Sequence, residues 1–205
     1  MRAIVTVVLF LNLFAAIQSG WCETLKLSDL QQGGYVIFMR HAKTDWSQKD
    51  DPDAISKGCA AQRNLSDSGR EQAKLIGRTI SQLKIPLGRI ISSKLCRTQE
   101  TAQLVSPNGS VEVSNTLTEY PDGPSKPPTA SKAEILEVLN AVPTLGTNTL
   151  LVSHRPILST ALGRKIELPE GGIVIFKPST VGEANLAAEI DEPALESQWN
   201  ALREG

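Results

Sequence analysis

Residues 33–44 read Gly33-Gly34-Tyr35-Val36-Ile37-Phe38-Met39-Arg40-His41-Ala42-Lys43-Thr44. A glycine pair opens a continuous apolar run of strand length, and the run stops abruptly at an arginine and a histidine. This is the pattern of a buried strand that delivers reactive side chains to the edge of a sheet. The chain contains two histidines. The second ends a run of the same kind, Thr149-Leu150-Leu151-Val152-Ser153-His154-Arg155. Both imidazoles therefore stand at the ends of predicted strands.

Working outward, Leu25–Leu30 reads as a short lead-in helix or turn, and Tyr35–Met39 as the first strand. Asp45–Arg63 is a long polar loop carrying Lys49-Asp50-Asp51-Pro52-Asp53. Its place directly after Arg40-His41 gives it a substrate-facing role. Its acidic run reads as solvated and not as a calcium loop, because a full set of spaced ligands is missing. A helix starts at Ser66, with capping-box spacing over Ser68-Gly69-Arg70-Glu71 and an apolar face of Ala73, Ile76, Ile80 and Leu83. Then come a strand at Arg89–Ser93, a helix at Cys96–Val105, a turn at Pro107-Asn108-Gly109, and an alternating edge strand at Val111–Leu117. Tyr120–Thr129 holds four prolines and reads as a rigid loop. A helix over 131–141, a strand at Thr149–Ser153, a helix at Pro156–Leu162 and a strand at Gly171–Phe176 follow. The acidic tail from Asp191 shows no clear pattern. Strands alternating with helices predict a three-layer α/β/α sandwich over a mostly parallel central sheet.

The chain has 205 residues and a formal net charge of −1, which provides no electrostatic footprint for nucleic acid. Residues 1–20 read as a signal peptide: Arg2 is the only charge before Glu23, residues 3–17 are almost wholly apolar, and Gln18-Ser19-Gly20 offers a cleavage region. An uncleaved anchor or a lipidated Cys22 are the alternatives, and the apolar run is shorter than the ~20 residues that span a bilayer. The expected product is one domain, 21–205, exported to a periplasmic or extracellular space and not held in the membrane once the leader is removed. Three cysteines in an exported chain leave one odd. Cys59 with Cys96 is the favoured pair, since such a bridge ties the long loop to the region around Arg97; three free thiols are the alternative.

Ligands of open α/β sheets bind beyond the carboxyl ends of the strands. That rule brings together Arg40 and His41 from the first strand, Arg97 from the junction after Ser92-Ser93, His154 from the strand ending at Ser153, and Glu119 from the strand ending at Leu117. Two guanidinium forks and two imidazoles around one point suit a dianion such as a phosphoryl group. Helix starts after residues 96 and 156 add backbone N–H donors. Cys96 beside Arg97 is not a cysteine nucleophile, because no phosphate-cradling turn separates the two. No metal or other cofactor is expected, since neither histidine has clustered carboxylates near it.

Four motifs in order now resemble the histidine phosphatase superfamily, the phosphoglycerate-mutase-like proteins. Arg40-His41-Ala42-Lys43-Thr44 is close to R-H-G-x-T. Leu65-Ser66-Asp67-Ser68-Gly69-Arg70-Glu71-Gln72-Ala73 fits L-[TS]-x-x-G-x-x-Q-A. Ser92-Ser93-Lys94-Leu95-Cys96-Arg97-Thr98-Gln99-Glu100-Thr101-Ala102 fits S-S-x-x-x-R-T-x-x-T-A, and Val152-Ser153-His154 fits V-[ST]-H. Departures are Ala42 for glycine, Ser47 where asparagine is frequent, and Arg155 where glycine is. The resemblance implies a phosphatase, of histidine acid phosphatase type, acting on a small phosphomonoester. His41 would be the nucleophile, with Arg40, Arg97 and His154 stabilising the transferring group and Arg40, Thr44, Arg97 and His154 binding substrate. Leu117-Thr118-Glu119 fits the L-x-E pattern that supplies the proton donor, with Asp122 as the alternative. Arg63, Arg70 and Arg155 either lean into the pocket or, for most of them, read as surface residues or structural pairs. A mutase, or a non-catalytic phosphate- or phosphosugar-binding module on the same fold, are the competing functions. Oligomeric state is not legible.

Overall fold

A computed structural model describes residues 25–119, 130–180, 182–183 and 185–190. The leader at 1–20, Cys22, the loop 120–129 with Asp122, and the tail from Asp191 lie outside the described residues.

The first strand, β1 (Val36–Arg40), follows the short helix α1 (Leu27–Gln32). After the long loop come α3 (Asp67–Gln82), β2 (Leu87–Ser92), α4 (Cys96–Val105), β3 (Val111–Val113), α5 (Lys132–Leu139), β4 (Asn148–Ser153), α6 (Arg155–Leu162), β5 (Ile173–Lys177) and β6 (Asn185–Ile190). The loop itself contains a one-turn helix α2 (Ala54–Lys57) and a 3-10 turn at Cys59–Ala61. The sheet order is β3-β2-β4-β1-β5-β6. β3, β2, β4 and β1 run parallel, and β5 and β6 complete one side in antiparallel fashion.

Strand alternation splits the apolar residues between two cores. Ile37, Met39, Leu150 and Val152 point to one face, where Ala73, Ile76 and Ile80 of α3 and Ala102 and Val105 of α4 cover them. Val36, Phe38, Leu151, Val174 and Phe176 point to the other, under Ile135 and Leu139 of α5 and Ile157 and Leu158 of α6. The expected three-layer sandwich and mostly parallel sheet are therefore present. Buried on both faces, β1 and β4 need continuous apolar sequence, which is why these two strands are the plainest in the chain.

Two expectations at the sheet edges are corrected. The strand expected over Val111–Leu117 ends at Val113. Past it the backbone turns: Thr118 N donates to Asn115 O at 2.9 Å, and Thr118 Oγ1 donates to Ser114 O at 2.8 Å. The side-chain bond closes a local turn that competes with the ladder. β6 has no counterpart among the expected elements, because its sequence lacks an apolar run and it is held by pairing with β5.

Candidate active site

Three parallel strands end in one row. Met39 pairs with Val152, Arg40 with Ser153, and Ser92 with Val152. The next residues continue the row, as His41 N donates to Ser153 O and Ser93 N donates to Val152 O, both at 3.1 Å. His41, His154 and Ser93 consequently leave the sheet side by side, and the two imidazole rings meet edge to face with centroids 5.4 Å apart.

The motif residues beyond the row explain their own spacing. Ser66 caps α3 by accepting from Gly69 N at 3.0 Å. Gly69 itself is pressed against the segment after His41: a β-carbon there would lie 1.8 Å from Lys43 O. Only glycine permits that approach. One turn later Gln72 accepts from Lys43 N at 2.9 Å and donates to Glu170 O at 3.0 Å, bridging the histidine loop to the loop before β5. In α4, Thr101 Oγ1 accepts from Ala42 N at 3.1 Å and donates to Arg97 O at 2.6 Å.

His41 is 2 % exposed. Its Nδ1 lies 2.9 Å from Ala42 O. A carbonyl oxygen only accepts, so Nδ1 carries the proton and Nε2 carries the lone pair. Burial, then the neighbouring positive charge of Arg97, hold the His41 pKa well below 6.5; Arg40 and Arg63 add to this and the Ala42 bond opposes it. The ring is neutral at pH 7. His154 is equally buried, with Nε2 2.8 Å from Ser93 Oγ. Burial, Arg97 and His41 hold its pKa well below 6.5 as well.

This pair has a consequence for stability. In the unfolded chain both rings take up protons near pH 6.5, whereas in the folded chain they do so only at much lower pH. The folded state thus binds fewer protons below 6.5, and stability that is full above 6.5 declines as pH falls. The slope approaches about 2.7 kcal/mol per pH unit for the two groups together. Urea midpoints measured between pH 7.5 and 5.5 should fall accordingly, with His41→Ala halving the slope; a flat profile in the wild type would contradict buried neutral imidazoles.

Arg97 is 1 % exposed and its Nη1 donates to Asp50 Oδ1 at 3.1 Å and Oδ2 at 3.2 Å. Its Nη2 is 3.9 Å from Glu119 Oε2, which is also 3.4 Å from His154 Nδ1. Burial lowers the Arg97 pKa, the Asp50 carboxylate opposes that, and the group stays charged. Arg40 Nη1 donates to Leu168 O at 2.7 Å, and Nη2 lies 3.6 Å from Glu170 Oε1. Among the described residues, two buried side-chain nitrogens make no hydrogen bond, Arg97 Nε and His154 Nδ1. Both belong to residues flanking His41. Arg97 Nε is a donor in any state, and leaving it unmade when buried is costly, so an acceptor oxygen would satisfy it; His154 Nδ1 donates only in the tautomer that accepts from Ser93 at Nε2.

The structure thus brings Arg40, His41, Arg97, His154 and Glu119 together. Glu119 arrives by a different route than expected, one residue past the Asn115–Thr118 turn and not from a strand end. Thr44 enters through two partners: its hydroxyl donates to Glu170 Oε1 at 2.7 Å and accepts from Arg63 Nη1. Cys59 and Cys96 are joined as a disulfide, with Cα atoms 5.6 Å apart. Arg70 pairs with Glu100 and Asp67, and Arg155 with Glu167, as structural or surface pairs.

Sequence reasoning misses two residues and leaves a third open. Asp50 is not solvated; it clamps Arg97 and accepts from Arg63 N at 2.8 Å. Arg63, open between pocket and surface in the sequence, lies among the site residues. Glu170 carries no motif, although it accepts from Thr44 N at 3.2 Å and contacts Arg40 and Arg63. The signal for Asp50 is its place in the loop that the Cys59 bridge draws inward. Glu170 offers only its position ahead of Gly171-Gly172.

A mostly parallel sheet whose strand ends gather two imidazoles and several guanidinium groups in one pocket defines a class: an α/β protein with a paired-histidine site. The family profile "Histidine phosphatase superfamily (branch 1)" matches residues 36–137. No curated protein matches the chain. Among solved structures, the protein histidine phosphatase SixA complexed with tungstate aligns with a TM-score of 0.58 at 17 % identity, covering 77 % of this chain and 96 % of that one. Two structures of phosphoserine phosphatase from Entamoeba histolytica align similarly. A mutant form in complex with phosphoserine has a TM-score of 0.54 at 16 % identity, over 76 % of this chain and 96 % of that one. The complex with 3-phosphoglyceric acid has a TM-score of 0.54 at 18 % identity, over 78 % and 98 %. At these identities the likeness concerns the fold.

Proposed function

We propose that this protein is an exported phosphatase that hydrolyses a phosphomonoester through a phosphohistidine on Nε2 of His41, without a metal ion. The observation that carries the reading is the Nδ1 contact to Ala42 O. It fixes the tautomer, so that a buried, neutral imidazole presents its lone pair from Nε2. Arg40 and Arg97 balance the negative charge that builds on the phosphoryl oxygens, and the neutral His154 stabilises it through a hydrogen bond. Nε2 attacks phosphorus, the P–O ester bond breaks, and the leaving oxygen takes its proton from Glu119. Glu119, now a carboxylate, takes a proton from water as that water attacks phosphorus. The P–N bond breaks, phosphate leaves, and His41 is restored. The disulfide fits an oxidising compartment, and with the leader sequence it supports export. Among the described residues no helix is long and apolar enough to cross a membrane.

The test is turnover of a phosphomonoester panel in EDTA, including p-nitrophenyl phosphate, phosphoserine, 3-phosphoglycerate and a phosphohistidine peptide. An alkaline quench should trap labelled enzyme. Failure to turn over or label with any of them, while phosphate still binds, would make the protein a binding module instead. Glu119→Gln should slow phosphoserine hydrolysis by about 10²–10⁴-fold. With p-nitrophenyl phosphate, whose leaving group needs no proton, the first turnover should stay fast and a burst precede the slow steady state. Equal steady-state rates for variant and wild type on both substrates would remove Glu119 from the proton-transfer role.

A further inference from the structure

Arg63 sits between the two arginines that flank His41. Its backbone ties it to one of them: Asp50 accepts from Arg63 N while clamping Arg97, and Arg97 Nη1 also donates to Arg63 O at 3.4 Å. Its side chain ties it to the other, because Arg63 Nη1 is 3.4 Å from the same Glu170 Oε1 that Arg40 approaches. The guanidinium lies against the ring of Trp46, with Cζ 4.1 Å from the ring centroid, which fixes its plane. Within that plane only Nη1 is occupied, by Thr44 and Glu170. The N–H groups on Nη2 and Nε make no hydrogen bond among the described residues, although the side chain is 15 % exposed.

Charge balance gives this edge a purpose. Arg40 and Arg97 stand among three carboxylates, those of Asp50, Glu119 and Glu170. Arg63 adds a third guanidinium charge beside Glu170, and Arg155 also acts on Arg40. One carboxylate, Glu170, cannot neutralise both Arg40 and Arg63. Its shared contact leaves positive charge for an incoming anion.

We propose that Arg63 is a substrate-binding residue, a third guanidinium whose Nη2–Nε edge grips the oxygens of the bound phosphoryl group. In kinetic terms this rests on the phosphatase reading, but binding can be measured apart from turnover. The probe is inorganic phosphate, titrated calorimetrically into the full mature chain, beside p-nitrophenyl phosphate kinetics. Arg63→Gln keeps a donor for Thr44 and removes the charge and the fork, and Arg63→Ala removes the whole group. Both should weaken phosphate binding roughly tenfold to a hundredfold. Both should raise KM for p-nitrophenyl phosphate similarly, with a thermal midpoint close to wild type. Because that substrate carries no second anionic group, the rise reports on the phosphoryl group itself. Arg89→Ala makes the same charge change at the exposed sheet edge, where Arg89 pairs with Glu112, and should shift phosphate affinity less than threefold. Unchanged phosphate affinity in a folded Arg63→Gln would overturn the proposal, as would an equal loss in Arg89→Ala. If the wild type binds phosphate but turns nothing over, the phosphatase reading fails and the binding comparison still decides the role of Arg63.

Discussion

His41→Ala loses turnover of p-nitrophenyl phosphate by about 10⁴-fold or more, the scale on which removal of a nucleophile acts. The size follows from what the ring does. In the proposed mechanism its Nε2 forms the bond to phosphorus, and without it the remaining charges can lower the barrier only for direct attack by water. The variant should still fold, since among the described residues the hydrogen bond the ring makes is to the carbonyl of its own neighbour. It should also resist acid better than wild type, because one buried imidazole that opposes protonation is gone. Phosphate binding should survive through Arg40, Arg97 and the other donors. The decisive measurement pairs the rate in EDTA with alkali-stable, acid-labile label: Glu119→Gln should accumulate it and the double variant with His41→Ala should not. Label retained by the double variant, or unchanged turnover in His41→Ala, would place the nucleophile elsewhere.

The second large effect concerns the disulfide. Cys59 and Cys96 close a loop with a sequence separation of 37. Constraining the unfolded chain over that length stabilises the fold by about 4 kcal/mol in the chain-entropy description. Cys59→Ser/Cys96→Ser should therefore lower the thermal midpoint by roughly 8–15 °C. The bridge also acts on the site. Cys96 is the residue before Arg97, and its N–H donates to Gln62 Oε1 at 2.8 Å, next to Arg63. Loosening this junction frees Asp50 from Arg97 and moves Arg63, so KM should rise at temperatures where the variant remains folded. Calorimetry of the wild type with and without dithiothreitol, beside the double variant, checks both effects. An unchanged midpoint on full reduction would show that the loop is held without the bond.

The parts of this protein that are legible in sequence are those whose signals are local. A strand end followed by Arg40-His41, a cap at Ser66 three residues before Gly69, and a helix start at Cys96-Arg97 each declare themselves within a few residues. The fold follows from these because parallel strands with crossover helices have few arrangements. Glu170 is illegible for the opposite reason. It reaches the site only because β5 runs antiparallel to β1, which turns the start of that strand, and not its end, toward His41. Asp50 and Arg63 lie in a loop that reads as substrate-facing as a whole while its acidic run reads as solvated, and the Cys59–Cys96 bridge, itself anticipated, together with the hydrogen bonds to Arg97 carries them inward. Glu119 is found by its motif yet expected in the wrong local structure, since the Thr118 side chain closes a turn where alternation suggests a strand.

The central position of β1 bears on when the molecule can fold. Val36 pairs with Thr149 on one side and Phe176 on the other, so the first strand synthesised has no neighbour until about three quarters of the chain exists. Contacts so distant in sequence make folding late and slow. A growing chain that has passed α4 already holds both cysteines and Arg97 but has no sheet on which to set His41. The residues around His41 thus come together only after β4 has been made, late in synthesis.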